Sequence, residues 1–437
     1  MHPESIVLPQ FVSNPAENLP PRIIPRPEHP ISRKDIDPDA LKVLYRLKHH
    51  GFLAYLVGGS VRDLFLGKRP KDFDIATDAR PSQIKDLFGN SRLIGKRFRL
   101  VQVVFRGGKV VEVSTFRRRS EFEEEECALA SNNSYGTPSE DAWRRDLTVN
   151  ALFYNIEDFS VVDYVGGVQD LKEGIIRIVG DPDIRLARDP GRIIRALRHA
   201  ARTGFVIEEK TFRAIEKHRD GIWLCPISRI RDEWLKDFMS ESVAPCIHQM
   251  IKTKFLYSLF PFYEPVLQQE NNVSFLLSLL ARMDELHSQG VRLDETFKFA
   301  LFLLPWFHFS YPGDASASKP LSPWFTEAKR QAVHSVLGAM DIKRSVRENA
   351  AYILAAQSVL SDIIDKEELP HRLRPRRYPV DAIKLFLLAS EARGVSFPPE
   401  SISLLYRGAR GSRKGTPMPR PKKTRKRFRP KRTDPAE

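Results

Sequence analysis

Near its N-terminus the chain reads Leu56-Val57-Gly58-Gly59-Ser60-Val61-Arg62-Asp63, and then Lys71-Asp72-Phe73-Asp74. This arrangement constrains the fold more than any other. The apolar run Phe52–Val57 is too short for a core helix and predicts a buried strand. The two glycines after it predict a tight turn whose backbone N–H groups can approach an anion closely. A second strand, Phe73–Ala76, carries carboxylates at i and i+2. Side chains alternate along a strand, so Asp72 and Asp74 are expected on one face, with Phe73 and Ile75 turned to the core. Paired carboxylates beside a phosphate cradle suit a two-Mg²⁺ site for phosphoryl or nucleotidyl transfer. Gly-Gly or Asp-x-Asp alone is commonplace; together, with Arg62-Asp63 opening a helix, they point to chemistry.

Around this centre the periodicity predicts alternating elements. Residues 31–50 read as a helix with Ser32 as N-cap, followed by the helix from Val61 and another after Pro81. Strands are expected at Val101–Phe105 and Val110–Thr115. Strands with helices on one side make an α/β head. Glu121–Asp141, acidic and then Ser-Asn-Asn-Ser-Tyr-Gly-Thr-Pro, reads as a mobile loop able to close over a site. From Ile184 a helix is expected, with Ile193, Ile194, Leu197, Ala200 and Ala201 on one face. Arg185, Arg188, Arg192, Arg195, Arg198 and Arg202 fall on the other. Six arginines around one Asp189 exceed an ordinary solvated face and predict nucleotide or RNA contact. Residues 246–405 show helical periodicity, no catalytic spacing and no internal repeat. Phe299–Phe309 is too short to span a bilayer and predicts a buried helix.

The charge is lopsided. The 437-residue chain has a net charge of +15, and thirteen Lys/Arg with no Asp/Glu lie between Arg407 and Arg432. So basic a segment cannot bury a core and is expected to be disordered, its function non-specific phosphate binding through counterion release. The three cysteines, Cys127, Cys225 and Cys246, show neither zinc spacing nor a disulfide framework, which fits a reducing cytoplasm. The proline-rich stretch to Pro30 reads as a flexible leader and lacks the pattern of a secretory signal. His49 and His50 fall at a helix end as partners of its terminal carbonyls. No Ser/His/Asp set and no His-x-x-x-His occurs.

Five ordered segments carry a family resemblance. The stretch from Leu56 to Thr77 resembles the head motif of class II nucleotidyltransferases, the bacterial poly(A) polymerases and tRNA CCA-adding enzymes of the polymerase-β superfamily. Gly95-Lys96-Arg97-Phe98-Arg99-Leu100 with Val111–Arg117, then Arg144-Arg145-Asp146 running to Leu152, are similar to the next head segments. Asp163-Tyr164-Val165-Gly166-Gly167 with Asp170-Leu171 resembles the end of the head, and Arg188–Arg198 the nucleotide-selecting neck helix. The resemblance spans residues 31–240. Within the family, His29–Ile36 with Ala40–Leu47, Arg97–Leu100 and the basic tail favour the poly(A) polymerase branch. It implies an α+β fold: a polymerase-β-like head with a mixed sheet and helices, then an α-helical neck and body and a disordered basic tail. The corresponding divisions are a leader over 1–30, the head over 31–170, the neck over 171–245, the body over 246–405 and the tail over 406–437.

The implied reaction adds AMP from ATP to an RNA 3′-hydroxyl and releases pyrophosphate. Asp72 and Asp74 would hold two Mg²⁺. Gly58, Gly59 and Arg62 would meet phosphate, and Arg145 the triphosphate or ribose. Asp146 is the first choice for a third carboxylate, with the alternative that it only orients an arginine. Glu112 is its rival, because a lone carboxylate among apolar strand neighbours is costly unless paired or metal-bound. Asp189 and Arg192, i and i+3, would read the incoming base, supported by Arg195 and Arg198. The family's usual Glu before that Asp is Arg188 here, which puts strict base choice in doubt. Expected partners are ATP and RNA 3′ ends for a cytoplasmic monomer without membrane contact. The alternatives are a CCA-adding or A-adding tRNA nucleotidyltransferase and, in another class, a non-catalytic RNA-binding adaptor. Intact Asp72, Asp74, Arg145 and Asp146 speak against the adaptor.

Overall fold

A computed structural model describes residues 20–95, 100–118, 135–311, 337–364, 379–399 and 402. The Lys96–Arg99 segment, Cys127, most of the acidic loop and the basic tail lie outside them. Eight strands form one mixed sheet: β1 (Arg22–Ile24), β2 (Ala54–Val57), β3 (Asp74–Thr77), β4 (Ser91–Ile94), β5 (Leu100–Val104), β6 (Val110–Thr115), β7 (Leu152–Asn155) and β8 (Val161–Asp163). Their order across the sheet is β1-β8-β7-β2-β3-β6-β5-β4. Neighbours run antiparallel except β3 and β6, which are parallel.

Strand alternation sorts the two faces. Ala54, Leu56, Ile75, Val111 and Val113 are buried on the face covered by helices α1 (Pro38–His49), α2 (Gly59–Phe65) and α3 (Pro81–Leu87). The opposite face carries a small cluster of Val57, Ala76, Phe116, Ala142, Phe153 and Val162, ringed by Tyr55 and Tyr164. The register puts Asp74 opposite Glu112, on this second face.

Several boundaries differ from expectation. The leader is shorter than thirty residues, because Arg22–Ile24 is an edge strand on β8 and Ile24 is buried. Flanking prolines are compatible with an edge strand, where an N–H can go unpaired. The first α-helix starts at Pro38 and is capped by Asp37, whose Oδ1 accepts from Asp39 N at 2.8 Å; Ser32 caps only a short 3₁₀ turn. His49 and His50 meet the carbonyls of Tyr45 and Arg46 at 2.7 and 2.8 Å. The expected loop to Asp141 ends early, since Thr137 and Glu140 form a capping box that starts α4 (Pro138–Trp143).

Beyond the sheet the chain is helical: α5 (Gly167–Glu173), α6 (Pro182–Arg188), α7 (Gly191–Thr203), α8 (Glu209–His218) and α9 (Ile227–Phe238). There follow α10 (Val243–Lys252), α11 (Phe255–Leu259), α12 (Tyr263–Val266), α13 (Glu270–Ser288), α14 (Glu295–Ser310), α15 (Arg344–Ile364) and α16 (Pro379–Ala392). Ile175–Ile176 and Val206–Ile207 make a short parallel pair. Trp234 stacks on Phe238, with ring centroids 4.4 Å apart, and packs against Phe260, Phe299 and Phe302. The apolar run around Phe299 is the predicted buried helix, α14, covered from Thr296 to Phe307. Among the described residues no helix is long and apolar enough to cross a membrane. Cys225 and Cys246 are buried free thiols.

Candidate active site

The turn between β2 and α2 is built on Gly58, at φ +76° and ψ −142°, a conformation almost confined to glycine. A Cβ there would lie 3.4 Å from Arg145 Nη1 and 3.7 Å from Asp74 Oδ2. Gly58, Asp74 and Arg145 therefore converge, although they lie far apart in sequence. Asp74 opens β3, and Asp72 sits in the exposed approach to that strand rather than within it. The Asp74 carboxyl reaches solvent along the cleft, yet the surrounding protein pushes its pKa up to about 6. Burial is the main cause; Glu112 and Asp72 add to it and Arg145 opposes it. Glu112 is itself steadied by Gln102, whose Nε2 donates at 2.8 Å, and Gln102 in turn accepts from Arg92 at 2.9 Å.

This concentration of negative charge fits a divalent cation. Among the described residues no three His, Cys, Asp or Glu side chains close into a metal cage. Mg²⁺ needs none: it takes one or two carboxylates and completes its shell with water and substrate phosphates. Arg145 is aimed across the cleft by Asp141 of α4, which accepts from its Nε and Nη2 at 3.2 and 2.9 Å, and its guanidinium lies 5.3 Å from the Phe153 ring centroid.

A second cluster lies where α6 meets α7. Asp189 and Arg192 do not share one helix as the spacing predicted. Pro190 disfavours a helical conformation at the residue before it, so α6 ends at Arg188 and Asp189 is extended, at φ −139° and ψ 82°. The pair still meets at 3.5 Å. Asp189 Oδ2 also accepts from Arg195 at 3.3 Å and from Arg229 of α9 at 2.9 Å. Asp189 Oδ1 and Arg192 Nε are both buried with no hydrogen-bond partner. An acceptor and a donor thus stand side by side at the neck without a hydrogen bond, Arg192 Nε facing Asp189 Oδ2 only at ion-pair distance. Asp146 accepts from Arg192 Nη1 and Arg195 Nε, each at 2.6 Å. Those arginines hold its carboxyl below the usual range against the cost of burial.

Two family models match the chain: "Poly A polymerase head domain" over residues 54–177 and "Probable RNA and SrmB-binding site of polymerase A" over 204–267. Poly(A) polymerase I of Salmonella typhi is 37% identical over 363 residues, covering 80% of this chain and 72% of that protein. The chain belongs to the poly(A) polymerase family. Poly(A) polymerase I of Escherichia coli O157:H7 is 47% identical over 223 residues, 49% of this chain and 48% of that one. The CCA-adding enzyme of Bacillus pumilus is 35% identical over 274 residues, 61% and 66% respectively. The fold is also that of the Bacillus stearothermophilus CCA-adding enzyme solved with CTP, at a TM-score of 0.62 and 24% identity over 86% of this chain and 83% of that one.

Within this poly(A) polymerase scaffold three sequence-predicted residues stand elsewhere than expected. Glu112, not Asp146, is the carboxylate beside Asp74; Asp146 belongs to the arginine cluster, because its loop faces α7 rather than β3. Arg62 is buried beneath the glycine turn, held by Asp63 at 2.8 Å, Asn150 at 2.7 Å and His199 at 3.0 Å. Arg198 turns away from the cleft and pairs with Asp237 and with Glu233 at 2.7 Å. A helix face crowded with arginines shows nothing of which arginine finds an acid on a neighbouring helix. Asp141, Asn150, His199 and Arg229 were missed. The signal of His199 is geometric; Asp141 stands four residues before Arg145, Asn150 lies inside the Arg144–Leu152 segment, and Arg229 falls in a run of charge opening α9.

Proposed function

We propose that this protein is a template-independent nucleotidyltransferase that adds AMP from ATP to RNA 3′ ends. The observation that carries the reading is the convergence of Gly58, Asp74 and Arg145 at one cleft, with Glu112 behind them. Divalent metal held by Asp72 and Asp74 would lower the pKa of the attacking 3′-hydroxyl and neutralise the triphosphate. The chain's own residues do the positioning, which is most of what this chemistry requires. The Gly58-Gly59 turn brings backbone N–H groups to phosphate oxygens, and Arg145, fixed by Asp141, offers a forked donor to the triphosphate or ribose. Arg62 acts from beneath, holding the turn in place.

At the neck, Asp189 Oδ1 accepts from an exocyclic amine and Arg192 Nε donates to the adjacent ring nitrogen. Adenine presents that donor–acceptor edge. Asp146 fixes Arg192 and Arg195 and so acts as a positioning residue. Residues 31–170 serve as catalytic head, 171–245 as nucleotide-selecting neck and 246–405 as an RNA-holding body, with the basic tail as a tether and the monomer as working unit in the cytoplasm. The CCA-adding alternative stays in play because cytosine offers the same donor–acceptor order.

An extension assay with Mg²⁺ tests the reading. The protein is given an unstructured RNA oligomer and a tRNA lacking its 3′ end, with each NTP alone and all four together. A long ladder on the oligomer with ATP alone is expected. Addition that stops after one to three residues, and only on the tRNA, overturns the poly(A) reading in favour of tRNA repair. Asp72→Ala is expected to abolish addition and spare RNA binding.

A further inference from the structure

The segment Gly221–Ile227 stands as a wall beside the α6–α7 junction. A Cβ on Gly221 would lie 3.4 Å from Pro190 Cγ and 3.9 Å from Leu224 Cδ1. A Cβ on Gly191 would lie 3.3 Å from Arg229 Cζ, and Arg229, two residues past Ile227, binds Asp189. The segment is therefore fixed to the residues around the two polar atoms without a hydrogen bond. Its outer surface is apolar and open: Trp223, Leu224 and Ile227 are 40%, 70% and 48% exposed, three large apolar side chains within five residues. The indole is held in one orientation, since Trp223 Nε1 donates to Ser258 O at 2.9 Å. Alongside, three arginines (Arg192, Arg195 and Arg229) share two carboxylates, Asp146 and Asp189, which leaves positive charge in surplus.

A fixed aromatic ring flanked by aliphatic side chains, next to surplus cations, is what unpaired nucleic acid uses: bases of any sequence stack on the ring, and phosphates gather at positive charge. We infer that Trp223, Leu224 and Ile227 form a stacking shelf for the unpaired 3′-terminal bases of the RNA being extended. The inference rests on the RNA-extending function proposed above and names the ligand of this surface. The growing end must stand close to the incoming base, and the shelf adjoins the junction that would hold that base. A protein partner is the competing occupant of an exposed apolar patch; the arginine surplus favours RNA.

The test uses the full chain. Leu224→Ser and Ile227→Ser alter exposed side chains and leave the fold intact, as thermal melting would verify. Trp223→Ala removes the ring and Trp223→Phe restores one that can stack. Affinity for a fluorescein-labelled oligo(A) is read by anisotropy, and KM for primer is compared with KM for ATP. Losing one stacked base weakens primer binding about 5- to 150-fold. That loss is expected for Trp223→Ala with Leu224→Ser, with most of the affinity retained in Trp223→Phe and KM for ATP unchanged within about twofold. Unchanged primer affinity in the folded Leu224→Ser and Ile227→Ser variants overturns the inference. So does normal RNA binding coupled with loss of a protein partner. Failure of the underlying function looks different: the unmodified protein would extend no RNA with any NTP, while anisotropy would still report on the shelf.

Discussion

His199 sits where the head meets the neck, its imidazole between Arg62 Nη1 at 3.0 Å and Asn150 Nδ2 at 3.2 Å. Burial, with Arg62 next in weight and then Arg198 and Arg202, pushes its pKa down to about 3. An unfolded histidine titrates near 6.5. Between those values the unfolded chain binds a proton that the folded chain refuses, so stability falls as pH drops through 6.5 and continues to fall until about 3. At about 1.4 kcal/mol per pH unit for one proton, lowering the pH from 7 to 5 removes about 2 kcal/mol through this residue alone. His199→Gln keeps a polar side chain of similar reach and cannot charge. Urea unfolding of the two proteins at pH 7 and pH 5 isolates the contribution, because every other titrating group is common to both. The unmodified protein is expected to lose about 2 kcal/mol more than the variant. The histidine resonance that the variant lacks is expected to stay neutral to below pH 4. Equal acid losses in both proteins, or a His199 resonance titrating near 6.5, would refute the reasoning.

Asp146→Asn is expected to release Arg192 and Arg195, raising KM for ATP about tenfold and relaxing base choice while the Mg²⁺ requirement stays as it was. A steep rise in the Mg²⁺ requirement, matching that of Asp74→Asn, would return Asp146 to the metal site. Arg198→Met leaves Asp237 buried without its partner and is expected to cost about 3–5 kcal/mol in denaturant unfolding. A stable Arg198→Met protein with a weakened grip on ATP would place that arginine in the nucleotide pocket after all. Gly58→Ala forces a Cβ into a glycine conformation beside Arg145 and Asp74, a strain of about 1–3 kcal/mol. Extension assays are expected to show at least a tenfold fall in kcat, and full activity would mean that the turn adapts without cost.

Local chemistry made much of this protein legible. The apolar run Phe52–Val57 before Gly58-Gly59 had to be a buried strand. Ile75, one residue after Asp74, had to point inward, and the Phe299 run had to be a covered helix, because side-chain period and the cost of exposed apolar surface act within a few residues. Proline also acts locally, and the breaks at Pro38 and Pro190 are intelligible once its effect on the preceding residue is allowed to outweigh helical spacing. Partners were another matter. Glu112 became the neighbour of Asp74 through the parallel pairing of β3 with β6, a contact between residues nearly forty apart. Arg62, Arg145, Arg195 and Arg198 are chemically alike in sequence, yet each takes its role from the acid it meets: Asp63, Asp141, Asp146 and Asp237. Asp63 and Asp141 lie one and four residues from the arginine they meet, whereas Asp146 and Asp237 arrive from other elements of the fold. Sequence by itself determined the central strands β2, β3, β5 and β6, the buried helix α14 and which residues can do chemistry. The tertiary structure decided which of those charges neutralise one another and which stay available, because Coulomb energy and desolvation depend on distances that only the packed chain sets.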